Sequence, residues 1–156
     1  HADLASGDDV FFLLKTKKLD CSKIHFLKSE DAMVHTKALK TPANFIQQRM
    51  RWVSKSRAYN DFDIIYSAVI VYLTNLLLLV LIVLSIFNNT FIPLLTLTFL
   101  LKIGADFIFL YSISGFFKKR KLLLLFPLSQ LFVITYTALI PVLSLFVQVK
   151  WKGRII

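Results

Sequence analysis

The chain has 156 residues, enough for one domain, with 56% hydrophobic residues, 15 Phe and a mean hydropathy of +0.66. That composition excludes a soluble globular protein and points to an integral membrane chain. A net charge of +10 would suit nucleic acid, but the basic residues gather beside apolar runs. They are therefore read as topology and lipid-headgroup signals, with no nucleic acid as partner.

A single Cys21 excludes an internal disulfide, and with only three His a structural zinc site is not expected, so no metal ligands are assigned. His1-Ala2-Asp3-Leu4 has neither the basic head nor the apolar core of a signal peptide, and the chain is expected to begin within a domain.

From His1 to Asp63 the sequence is polar, with eleven Lys or Arg and eight Asp or Glu, and only this part is expected to offer a water-exposed catalytic surface. Ser6-Gly7-Asp8-Asp9 followed by Val10-Phe11-Phe12-Leu13-Leu14 predicts a turn and N-cap feeding a helix, with acids in the first turn where the helix dipole favours them. Lys15, Lys17 and Lys18 continue that helix as a solvated charged face. Cys21 to Leu27 alternates as a short strand does, and Ala32 to Thr36 makes a second such run. His25 and His35, on separate predicted strands, are read as surface or packed imidazoles rather than metal ligands.

Thr41-Pro42 predicts an N-cap with Pro at the first helical position, and the helix runs through Phe45, Gln48, Arg51 and Trp52 towards Ser56. Gln48, Arg51 and Trp52 stand at i, i+3 and i+4, so they share one face. The guanidinium offers a planar fork of donors for phosphate, the indole a flat apolar plate for a sugar ring, and the amide both gives and takes hydrogen bonds. The same residues also fit a juxtamembrane helix whose cations face anionic headgroups and whose Trp lies at the interface. Lys55, Arg57 and Tyr59 suit an amphipathic segment lying along the headgroups.

Ile64 to Phe87 carries no charge and is long enough at about 1.5 Å per residue to cross a bilayer core. Asn88-Asn89-Thr90 is a glycan acceptor pattern or simply a tight polar hairpin. The second expected span, Phe91 to Phe117, contains Lys102 and Asp106, which four residues apart on a helix can neutralise each other. A structural pair packed against another helix is preferred there over a role in passing a lipid or polymer.

Lys118-Lys119-Arg120-Lys121 marks the cytoplasmic side. With two spans before it, residues 1–63 fall in the cytoplasm too. Leu122 to Val149 is a third apolar stretch, with Pro127 and Pro141. If it crosses once, the basic tail Lys150-Trp151-Lys152-Gly153-Arg154 lies outside. If it turns back near Pro141 as a re-entrant or interfacial hairpin, the tail stays cytoplasmic, and the second arrangement is favoured.

Gln48-x-x-Arg51-Trp52 resembles the motif that closes the catalytic domain of membrane-bound family 2 glycosyltransferases of GT-A type, the group of the cellulose, chitin and hyaluronan synthases. Ser6-Gly7-Asp8-Asp9 resembles that family's base motif at the matching distance upstream. Ser29-Glu30-Asp31-Ala32-Met33-Val34 is similar to the strand after the base helix, and Thr41-Pro42-Ala43-Asn44-Phe45 to the lead-in of the Gln helix. The resemblance covers residues 1–60, and the membrane region by architecture only.

It implies a mainly α chain: the C-terminal fragment of an α/β GT-A catalytic domain in 1–60, then a transmembrane helical region in 61–156. It further implies Asp9 as the catalytic base, Asp8 as a local support, Gln48, Arg51 and Trp52 as substrate-binding residues, and His35 as a further substrate contact. The expected partners are a nucleotide-sugar donor, a lipid or glycan acceptor and the membrane. A divalent cation, Mg or Mn, is expected in the full-length enzyme, whose Asp-x-Asp site would precede this chain. Asp61-Phe62-Asp63 spells that pattern but follows the Gln-Arg-Trp motif at the membrane edge, and it is rejected as the metal site. The expected location is the inner (plasma) membrane, multi-pass, with the catalytic part cytoplasmic. The rival reading is a small non-catalytic membrane protein, a scaffold or transporter subunit with a basic cytoplasmic head.

Overall fold

A computed structural model describes residues 8–56, 58–147, 150–151 and 154–155. The chain is mainly α-helical: α1 Asp8–Leu19, α2 Pro42–Ser56, α3 Phe62–Phe87, α4 Ile92–Phe116 and α5 Phe126–Phe146. A two-residue antiparallel hairpin follows, β1 Lys150–Trp151 with β2 Arg154–Ile155, in the register Lys150 to Ile155 and Trp151 to Arg154. Two compact units are distinguished. One takes in the described parts of His1–Ile65 and Ile140–Ile156, the other is Tyr66–Leu139.

The strands expected between α1 and α2 do not form. Cys21–Lys23 and Glu30–Ala32 are single 3-10 turns, and the residues around them are irregular. The reason is local. The Asp20 carboxylate accepts from the Ser22 amide at 3.0 Å and its hydroxyl at 2.6 Å, and the Ser29 hydroxyl accepts from the Asp31 amide at 3.3 Å. Side chains that bond the backbone two residues on favour turns over a ladder.

α2 begins as its sequence predicts, with the Thr41 hydroxyl accepting from the Asn44 amide at 3.2 Å ahead of Pro42. At the start of α3, Asp61 plays the same part: its carboxylate accepts from the Ile64 amide at 3.2 Å, and its carbonyl from the Ile65 amide at 3.1 Å.

Three helical segments, Phe62–Phe87, Asn89–Phe116 and Arg120–Phe146, are long and apolar enough to cross a membrane. Several of their hydroxyls bond within the helix: Thr96, Thr98 and Thr135 donate to carbonyls one turn back, at 2.8 to 2.9 Å, whereas the buried Ser85 hydroxyl makes no such bond. Each such bond removes a polar group that would otherwise seek a partner where water is absent. Between α3 and α4 the Asn88 side chain accepts from the Thr90 amide at 2.9 Å, making the tight polar turn the sequence allows.

α5 continues through Pro141 instead of breaking there, so the third apolar stretch is one helix from Phe126, entered by a 3-10 segment at Arg120–Leu125. Its last turns fall in the same compact unit as the polar N-terminal part.

The unit Tyr66–Leu139 has a narrow buried centre, in which Leu78 and Ile134 are the largest fully buried side chains. Lys102 lies in it, its side chain 7% exposed. The ammonium donates to Asp106 at 2.6 Å on its own helix and to the Gln130 amide oxygen at 2.5 Å from α5. The expected Lys102–Asp106 pair is therefore present, with a third member that the sequence did not single out.

α4 ends in a Schellman turn. The Lys118 amide bonds to the Gly115 carbonyl at 3.2 Å and the Lys119 amide to the Ser114 carbonyl at 2.8 Å, with Lys118 at φ 55°. Glycine is the usual occupant of such a position; here the basic run supplies a lysine.

Candidate active site

Asp9 lies in the first turn of α1, on its exposed side. Ser6 and Gly7 lie outside the described residues, as does the side chain of Asp8. Two residues on from Asp9, Phe11 meets the Tyr59 ring edge-on, with centroids 5.6 Å apart at 64°. Tyr59 reaches that position because α2 closes in a turn in which the Ala58 and Tyr59 amides bond back to the Lys55 and Ser56 carbonyls. The Tyr59 hydroxyl titrates above its ordinary range, first because it is partly buried and then because the Asp9 carboxylate is close by. The start of α1 and the exit of α2 thus converge.

Between them opens a cleft of ≈ 540 Å³, lined by Phe11, Phe12, Leu14, Lys15, Lys18 and the linker residues Ala58 and Asn60. Lys15 and Lys18, read from sequence as a plain solvated face, form its cationic side. A cleft lined by apolar side chains and two lysines suits an anionic or polyhydroxylated ligand.

Gln48, Arg51 and Trp52 share one face of α2. Gln48 and Arg51 are half-buried, and Trp52 is 47% exposed. A residue between them adds an unforeseen contact. The Arg49 guanidinium lies 4.8 Å from the Phe45 ring centre and 4.6 Å from that of Trp52, so one side of the indole is already covered by a cation. The signal was present in the sequence, since Phe45 stands four residues before Arg49 and Trp52 three after. A plate supported on one side and open on the other is better fixed for stacking than a free indole. His35 is exposed in the irregular stretch before α2, and His25 is exposed too.

The two acids of Asp61-Phe62-Asp63 are engaged by Lys17, whose ammonium donates to one oxygen of each at 2.7 Å. Asp61 is nearly enclosed, its side chain 10% exposed, while Asp63 is open at 77%. Hydrogen bonding to Lys17 holds the Asp61 carboxyl below the ordinary carboxylate range. The same contacts, with Asp61 first and Asp63 second, raise the Lys17 ammonium above its own. Lys17 is thus part of an ion-pair cluster that joins α1 to the cap of α3, and not a member of a solvated face.

Among the described residues no group of three or more His, Cys, Asp or Glu is placed to hold a metal ion. No protein-family model matches the chain, and no curated protein or solved structure matches it.

Proposed function

We propose that this chain carries the acceptor side of a membrane-bound inverting glycosyltransferase of family 2, moving a sugar from a nucleotide-sugar donor to a lipid or glycan acceptor. The observation that carries the reading is that α1, which begins with Asp9, and the exit of α2 meet in one compact unit at a cationic cleft; Asp9 and the Gln48, Arg51 and Trp52 face lie on the two helices that border the cleft and not in its lining.

In this reading the ionised Asp9 carboxylate takes the proton from the acceptor hydroxyl as the oxygen attacks the anomeric carbon, and the nucleoside diphosphate leaves with inversion. Arg51 faces the leaving diphosphate as a fork of donors. Trp52, braced by Arg49, stacks on the acceptor sugar, Gln48 holds its hydroxyls, and His35 contacts substrate from the segment before α2. Asp8 supports the base turn. A divalent cation, Mg or Mn, would supply neutralising charge for the leaving diphosphate, and no residue of this chain is assigned to hold it. The catalytic part faces the cytoplasm at the inner membrane, on the side marked by Lys118 to Lys121.

A non-catalytic scaffold or transporter subunit is the second reading, and it draws on the buried Lys102, Asp106 and Gln130 network, which needs no chemistry to account for it. The deciding experiment is transfer of labelled sugar from a panel of nucleotide sugars by membranes holding the full-length protein. Asp9→Asn is expected to lower the rate at least about a hundredfold, and Trp52→Ala to raise the acceptor KM. Transfer that survives both substitutions unchanged would sink the enzymatic reading.

A further inference from the structure

We infer that the turn between α4 and α5 is a binding site for an anionic glycerophospholipid, with the headgroup phosphate on Lys119 and one acyl chain in the slot beside it. Two cavities meet here. An apolar slot of ≈ 330 Å³ lies between the end of α4 and the entry to α5, walled by Ile113, Phe117, Leu123 and Phe126 with the Ser114 hydroxyl among them. A second, cationic cleft of ≈ 490 Å³ is lined by Gly115 and the run Lys118 to Lys121. Lys119 and Leu122 line both, so the charged cleft and the greasy slot share a wall.

The charge balance identifies the occupant. Within Tyr66–Leu139 the sole carboxylate is Asp106, and Lys102 already holds it. The unit to which this turn belongs therefore supplies no further counter-charge for Lys119, Arg120 and Lys121. One of the cations is also set in place beforehand: the Arg120 guanidinium lies over the Tyr111 ring at 4.8 Å, against Gly115, while the Lys119 main chain is held by its amide hydrogen bond to the Ser114 carbonyl. A fixed cation loses less freedom on binding than a mobile one.

A soluble phosphate would fill the cationic cleft and leave the slot empty. A neutral lipid would do the reverse. An anionic phospholipid fills both, at the end of a helix long enough to span the bilayer. This inference stands apart from the proposed enzymatic activity.

The test uses the full-length protein, purified in detergent and exposed to mixed micelles of equal phosphatidylglycerol and phosphatidylcholine, with retained lipid counted by native mass spectrometry. Wild type is expected to retain phosphatidylglycerol preferentially. Lys119→Gln is expected to lower that preference about fivefold, the effect of one cation near a lipid headgroup, and Lys119→Arg to restore it. Leu122→Trp, which fills the slot without changing charge, is expected to lower retention comparably.

Lys37→Gln, which removes one exposed charge from the other unit, is expected to change nothing, and equimolar inorganic phosphate is expected not to compete. Equal loss in Lys37→Gln would reduce the effect to net charge, full retention in Leu122→Trp would remove the slot, and competition by phosphate would make this a site for free anions. Each of these results overturns the inference. Circular dichroism of every variant shows whether helix content is kept, and the Arg and Trp variants carry the test should Lys119→Gln fail to fold.

Discussion

Lys17 and Asp61 stand 2.7 Å apart, and through them the first helix is tied to the residue that caps the first membrane-length helix. Asp61 serves twice, with one carboxylate oxygen on the Ile64 amide and the other on the Lys17 ammonium. Asp9, at the head of α1, is thereby tied to the start of α3 by a side chain two turns along the same helix.

This bridge sets a pH window. Asp61 titrates below its ordinary value of 3.8 when folded, so its contribution is present above that value and is lost as pH falls through the folded one. Lys17 titrates above its ordinary 10.5, so its contribution is whole below that value and disappears only in stronger base. The distance between nitroxides at Lys18→Cys and Ile64→Cys, in a Cys21→Ser background, is expected to stay constant between these limits. It should broaden only below the ordinary value of 3.8, as Asp61 takes up its proton. Asp61→Asn is expected to show the broadened distribution at neutral pH, and an unchanged distribution in that variant would refute the tie.

Asp9 and Tyr59 offer a direct check on the candidate site. Removing the carboxylate in Asp9→Asn removes the negative neighbour that opposes phenolate formation, so Tyr59 should titrate at lower pH than in wild type. It should still lie above its ordinary value of 10.0, because the larger cause, partial burial, remains. Tyrosinate absorbance, taken as the difference from Tyr59→Phe, isolates this group from the other four tyrosines. A titration unmoved by Asp9→Asn would separate the two residues.

The buried network of the membrane unit behaves differently on single and triple substitution. Asp106→Ala leaves a buried ammonium with one neutral partner and is expected to destabilise by about 3 kcal/mol. Gln130→Leu removes a hydrogen bond to a charged group, for a loss of about 1.5 kcal/mol or more. The triple variant Lys102→Met, Asp106→Leu, Gln130→Leu is expected to regain most of the loss, since apolar residues of similar volume replace all three members and leave no buried polar group unpaired. Reversible unfolding in mixed micelles measures all three. Stability recovered in the triple variant marks the network as replaceable by apolar packing; a triple variant no more stable than Asp106→Ala would contradict that account.

Much of this could be read from the residues because it depends on near neighbours. The ends of α2 follow from Thr41-Pro42 and the spacing of Gln48, Arg51 and Trp52, and α3 follows from a run without charge. Alternation misled at Cys21 to Leu27, because a period of two is only a pattern until another strand accepts it, and Asp20 and Ser29 turn the chain first.

Three features were hidden for physical reasons. Lys17 meets acids 44 and 46 residues away, a separation at which sequence carries no register. Gln130 is one amide in an apolar run, unremarked until α5 sets it against Lys102. Lys118 holds a left-handed turn where the usual glycine signal is absent.

α4 is greasy on every side, and only 6% of its most apolar window is buried. A cylinder of that kind has no preferred azimuth, because rotation about its long axis exchanges one hydrocarbon flank for another. The bond from Lys102 to Gln130 works as an indexing pin, stopping the rod at one angular setting and thereby deciding which residues look towards lipid.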